Sequence, residues 1–134
     1  MPWMSASRRV VVTVLMCLGF FSVTLYSGAA RALGDQEVKQ IEYLIASVEK
    51  LDGASFVRNG THYDGKQAGS HLRMKLKKAG NRVKNAEDFI TLCASKSYLS
   101  GKPYLIVFAD GKTVPAGEFF RKKLKEYRPM NRDE

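Results

Sequence analysis

The sequence predicts an α+β fold in one small domain: four helices and two short antiparallel β-hairpins in the order α-ββ-α-α-ββ-α. Three observations carry this. Apolar residues recur at helical spacing in four separate segments. Two short β-branched and aromatic runs each break at a tight-turn dipeptide, Asn59-Gly60 and Asp110-Gly111. Finally, 134 residues with 45% hydrophobic content suit one globular domain, too rich for disorder and too short for several domains.

Residues 1–32 read as an export segment and residues 33–134 as the domain itself. Arg8 and Arg9 precede an apolar run from Val10 to about Tyr26, and Ala30-Arg31-Ala32 offers a small-residue cleavage site, the three parts of a signal peptide. The alternative is an uncleaved N-terminal anchor with its amino end in the cytoplasm. Both place the domain outside the cytoplasm. Ser7-Arg8-Arg9-Val10 lacks the lysine of a twin-arginine signal, and Met16 before Cys17 does not suit a lipoprotein site. Removal of the segment leaves Cys93 as the single cysteine, so the domain has to hold without an internal disulfide.

Within the domain, Val38, Ile41, Ile45 and Val48 form the apolar stripe of a first helix, with Asp35 as its cap and Gly53 at its end. Phe56-Val57-Arg58 and Thr61-His62-Tyr63 flank Asn59-Gly60, both residues tolerant of the positive φ that a type I′ turn needs. That register sets Phe56 against Tyr63 and puts Val57 and His62 on the other face. Asn59-Gly60-Thr61 is also a glycosylation sequon by pattern, with the turn as the preferred reading. Asp64 and Gln67 resemble a capping box before a second helix buried along Ala68, Leu72, Leu76 and Ala79, and Gly80 ends it.

Asn85 caps a third helix running to about Ala94, with Ala86, Phe89, Ile90 and Cys93 inward. On that face Cys93 is expected to be a buried, structural thiol. Residues 95–103 are a small-polar loop. Tyr104 to Ala109 is a strand answered across Asp110-Gly111 by Lys112-Thr113-Val114. Pro115 suits the first turn of a last helix with Ala116, Phe120, Leu124 and Tyr127 inward, and Pro129 stops it.

Charge is the clearest functional signal. Residues 33–134 carry 19 basic and 13 acidic side chains. Lys66, Arg73, Lys75, Lys77, Lys78, Arg82 and Lys84 follow one another with no acid among them, and Arg121, Lys122, Lys123, Lys125 and Arg128 form a second cluster broken only by Glu126. Such faces attract polyanions, with binding that weakens as salt rises. In an envelope the candidate anions are lipid headgroups and acidic glycans; no nucleic acid is expected, and the membrane is reached only through the export segment or peripheral charge. The bland alternative is a solvated charged surface.

Catalytic patterns are thin. His62 and His71 have no ligand-spaced companions, so neither metal nor cofactor is expected. There is no G-x-S-x-G elbow, no phosphate-binding glycine loop and no evident carboxylate pair. The candidate binding residues are Arg58 and Asn59 at the first hairpin tip, His71, Arg73 and Lys75 on the second helix, and Ser100, Gly101, Lys102 and Tyr104 at the entry to the third strand. Brought together, they would suit an anionic or hydroxylated ligand. The bland alternative is that Arg58 and His71 bond loop carbonyls while Tyr104 packs.

Phe56-Val57-Arg58-Asn59-Gly60, Ser70-His71-Leu72-Arg73-Met74-Lys75-Leu76, Ala86-Glu87-Asp88-Phe89-Ile90, Ala94-Ser95-Lys96-Ser97 and Ser100-Gly101-Lys102-Pro103-Tyr104 resemble, in that order, a family of small exported bacterial proteins classed as a domain of unknown function. The resemblance runs from about Glu37 to Tyr127. It implies a Gram-negative periplasmic protein and supplies no activity. Some members carry a cysteine near the first hairpin; none stands there in this chain. Ser100-Gly101-x-x-Tyr104 also resembles the loop by which periplasmic inhibitors enter the lysozyme cleft, although a basic domain would be repelled by a basic lysozyme.

The leading expectation is a non-enzymatic periplasmic binding or accessory protein that engages an envelope protein or an anionic envelope component through its basic surface. The alternatives are a small hydrolase or transferase using His71 with a serine or Cys93, and a lysozyme-inhibitor-like protein. Exposure of the Cys93 thiol separates the first two.

Overall fold

The computed structural model describes residues 33–129; residues 1–32, read from the sequence as an export segment, lie outside them. The elements are α1 (Asp35–Glu49), β1 (Ser55–Arg58), β2 (Thr61–Tyr63), α2 (Gly65–Ala79), α3 (Ala86–Phe89), β3 (Leu105–Val107), β4 (Thr113–Pro115) and α4 (Ala116–Glu126). This is the expected α+β order. The two hairpins join, since β1 pairs with β3 antiparallel, into one sheet of order β2-β1-β3-β4.

The first hairpin has the expected register, Phe56 opposite Tyr63 and Val57 opposite His62. Its turn is type I′ in character, with Asn59 at φ 51° and Gly60 at φ 80°. Phe56 is also level with Ile106, and Ile106 with Val114, so these side chains share the face that meets the helices. Phe56 and Ile106 are buried there. Val57, Leu105 and Val107 lie on the other face and are only half-buried.

Asp64 and Gln67 close the expected capping box on α2, the Gln67 amide donating to Asp64 Oδ1 at 2.7 Å. Asn85 caps α3 through the Asp88 amide. Several local expectations need correction. Gly34, not Asp35, occupies the N-cap of α1, and Asp35 contributes its charge to the first turn. Lys50 closes that helix, so Gly53 belongs to the turn before β1. Val38 is exposed, and Leu44 fills the apolar stripe instead. Pro115 ends β4 and precedes α4, whose buried face includes Phe119.

The third helix is the most altered. After Phe89 the chain widens into a π-helical turn, Ile90–Ala94, and the Ser95 hydroxyl donates back to the Ile90 carbonyl at 2.7 Å. The wider turn lets Phe89, Ile90, Cys93 and Ala94 all be buried. Gly117 of α4 crosses there, where a Cβ would stand 2.7 Å from Ser95 Oγ.

The core cluster, from Ile41 to Phe120, includes Leu44, Leu72, Phe89 and Ile106, so residues from Leu33 on carry a complete core. Cys93 is a free, buried thiol, as expected. No helix among the described residues is long and apolar enough to cross a membrane.

Candidate functional site

The candidate residues come from three elements that meet at one end of the sheet. Arg58 ends β1, His71 and Lys75 stand one turn apart on α2, and Tyr104 precedes β3. With Phe56 and Tyr63 they line a hollow of only about 10 Å³, the space of a single water. Tyr104 is 2% exposed, and its ring packs 5.3 Å from that of Phe56. The Lys75 ammonium donates to Tyr104 Oη at 2.9 Å and sits 4.7 Å from the ring centroid. His71 stacks against Tyr63 at 4.8 Å, its Nδ1 buried with no protein partner. This group is a packed seam between α2 and the sheet, and it has no room for a ligand.

Arg73 goes elsewhere. Gly65, Gly69 and Arg73 recur every four residues along α2, on the side that meets α1. A Cβ on Gly65 would stand 2.5 Å from the Val48 carbonyl oxygen, and one on Gly69 would collide with the Glu49 side chain. One turn further, Arg73 pairs with Glu49 and, at 3.1 Å, with Glu42. Both carboxylates hold its pKa above the ordinary arginine value. Within the acid-free run, Arg73 therefore finds its acids on another helix. α2 and α4 both pack on α1 and on the π-helical turn.

The remaining candidates build a loop. Ser100 Oγ lies 2.7 Å from Asn59 Oδ1 and donates to it, tying residues 97–102 to the first hairpin tip. The Ser97 amide donates to the Lys102 carbonyl and the Gly101 amide to the Ser97 carbonyl, both at 2.9 Å, and Lys96 bridges Pro103. Gly101 supplies φ 67°, which a side chain would strain. Ser97 is 2% exposed at the base, whereas Tyr98 and Leu99 at the tip are each 89% exposed. Lys96 and Lys102 flank them in solvent. Sequence reasoning passed over Tyr98 and Leu99, although two large apolar residues amid Ser, Gly, Lys and Pro were the available signal.

Tyr104 is an interior residue, so the Ser-Gly-x-x-Tyr pattern does not present its tyrosine; the exposed aromatic of this loop is Tyr98. Cys93, 1% exposed, has its thiol pushed up first by burial, with Lys75 and Arg82 partly opposing. A substrate would reach it only after local opening. Among the described residues no three His, Cys, Asp or Glu side chains group as a metal site.

The profile of a family described as "Family of unknown function (DUF5329)" matches residues 35–128. The chain is also 40% identical over 68 residues to "Uncharacterized protein YfeK" of Salmonella typhimurium strain LT2, covering 51% of this chain. The chain thus spans 57% of that protein's length. No solved structure matches it.

Proposed function

As the chain belongs to the family of unknown function DUF5329, we propose from its own geometry that it is a non-enzymatic binding or accessory protein of the bacterial envelope, held in the periplasm, that grips a protein partner through the Tyr98-Leu99 loop and the lysines beside it. Support for the address is the arginine-led apolar segment ending in Ala30-Arg31-Ala32. The observation that carries the binding reading is the 89% exposure of Tyr98 and Leu99 on a loop fixed from both sides by hydrogen bonds. A pre-ordered loop gives up little conformational freedom on binding. Its apolar tip would bury a Tyr, a residue enriched among interface hot spots, and a Leu worth about 1.5–3 kcal/mol. Lys96 and Lys102 then favour a contact surface with an acidic rim.

The test is a pull-down from detergent-solubilised envelope with tagged residues 33–134, washed across a salt series, beside the double variant Tyr98→Ala/Leu99→Ala. One protein retained in fixed proportion through high salt by the parent, and weakened at least about tenfold by the double variant, is the expected result. Retention of anionic lipid or glycan alone, all of it eluting as salt rises, would replace the loop reading with an electrostatic tether. Both residues are too exposed for their loss to unfold the domain.

A further inference from the structure

The second basic cluster borders a larger opening. β4 is an edge strand, and α4 starts directly after it. Between them lies a cavity of about 510 Å³, within the range of about 300–1,000 Å³ typical of small-molecule sites. Its apolar walls are Leu51, Phe108, Val114 and Phe119, with the two phenylalanine rings 6.2 Å apart. Lys112 enters from the second hairpin turn, and Lys122 and Lys123 from α4, against the single acid Glu118. Lys123 is held by Glu126 at 2.9 Å, whereas no salt bridge among the described residues engages Lys112 or Lys122.

A half-open apolar hollow beside two exposed cations that no salt bridge among the described residues engages complements one kind of molecule: an aliphatic body ending in an anion. We propose that this cavity is a binding site for a small amphipathic carboxylate, its chain lying along Phe108, Val114 and Phe119 and its head between Lys112 and Lys122. A fully apolar ligand would leave both ammonium groups without partners, and a small hydrophilic anion would leave the phenylalanine walls uncovered. The site is independent of the Tyr98-Leu99 loop, which contributes nothing to its lining.

Calorimetric titration of residues 33–134 with hexanoate, octanoate, decanoate and decanol tests the assignment. Affinity is expected to rise about fourfold for each methylene buried until the chamber is full. Decanol, lacking the charge, is expected to bind at least about tenfold more weakly than decanoate, and Lys112→Glu/Lys122→Glu to cost decanoate a similar factor. Glu118→Gln should tighten binding, and Tyr98→Ala/Leu99→Ala should leave it unchanged, so failure here and failure of the loop reading are separable. All these side chains are exposed, so the variants retain the fold. Amide shifts at Phe108, Val114 and Phe119 would locate the ligand. Lysophosphatidylglycerol, whose acyl chain is esterified and whose anion is a phosphate, is expected to compete weakly; displacement of decanoate at equal or lower concentration would overturn the carboxylate assignment in favour of a phosphate-bearing lipid. Equal binding of decanol and decanoate, no saturation up to millimolar ligand, or shifts centred on another surface would overturn the proposal.

Discussion

The hollow under α2 and the cavity beside α4 are both lined by lysines and aromatic rings, yet they are opposite in kind. Around Tyr104 the rings close on one another and the Lys75 ammonium already has a phenolic partner, leaving about 10 Å³. Beside Phe108 and Phe119 about 510 Å³ stays open, and no salt bridge among the described residues engages Lys112 or Lys122. The first region lies in the acid-free basic run from Lys66 to Lys84, where Arg73 is held by Glu42 and Glu49 from α1. Local charge density therefore does not locate free charge: a cation is available to a ligand only if the fold brings no acid or hydroxyl to it. Lys112 and Lys122 share the cavity lining with Phe108, Phe119 and one acid, Glu118, and no salt bridge among the described residues holds either of them.

The sharpest way to break this comparison is to remove one ring from each region. Tyr104→Ala takes away a side chain that is 2% exposed and should cost about 3–5 kcal/mol, the range for emptying a closed aromatic site. Phe108→Ala, at a half-buried position facing open space, should cost about 1–2 kcal/mol. Urea unfolding, read as a change in midpoint at constant slope, measures both. Equal losses would mean that the cavity beside α4 is closed in solution and that the contrast fails.

The next effect concerns the α1–α2 seam that holds Arg73 away from any ligand. Gly65→Ala would set a Cβ 2.5 Å from the Val48 carbonyl oxygen, and backbone cannot swing aside, so a loss of about 1–3 kcal/mol is expected. At Gly69 the three atoms nearest to an added Cβ all belong to the Glu49 side chain. That carboxylate can rotate, giving up part of an exposed ion pair worth about 0–1 kcal/mol while the helix gains about 1 kcal/mol in propensity. The net change at Gly69 should be near zero. A large loss at both positions would mean that the Arg73 pairing, not backbone approach, sets the seam.

These two glycines show what was legible in the sequence and what was not. Local signals read well because the forces are local: the Asn59-Gly60 turn with its register and the Asp64–Gln67 box are decided within a few residues. The joining of β1 to β3 and the meeting of Arg73 with Glu42 and Glu49 are tertiary, and a run without acids gives no hint of acids on another helix. The widened turn after Phe89 escaped because its apolar spacing fits an α-helix for one more turn. Asn59 and Ser100 were placed in one region and do meet, but the exposed Tyr98 and Leu99 between the pinned ends were passed over as loop filler. The cavity beside α4 escaped because Phe108 and Val114 read simply as strand residues, while Leu51 and Phe119 stood outside the apolar stripes that the helical spacing picked out. Nothing in a sequence marks the volume they fail to fill.

The smallest effect lies at the cavity rim, where Lys123 is the one lysine already paired. Its bond to Glu126 lowers the Glu126 pKa and raises that of Lys123, with the carboxylate fully exposed. The sign follows from the direction. A depressed carboxylate favours the folded state above its unfolded pKa, and that contribution is lost as pH falls through its folded value. On the lysine side, a raised pKa means the contribution is lost only as pH rises through the folded value. The pair is thus intact across the neutral window and breaks at either extreme. A carbon-detected NMR titration should show Glu126 protonating at lower pH than in the Lys123→Met variant, with little change in overall stability. Glu126→Gln would release the Lys123 ammonium toward Lys122 and Glu118 and should strengthen carboxylate binding slightly. Unchanged binding would mean that Lys123 belongs to the wall through its stem over Phe119, where its ammonium stands 5.9 Å from the ring centroid, and not to the charged mouth.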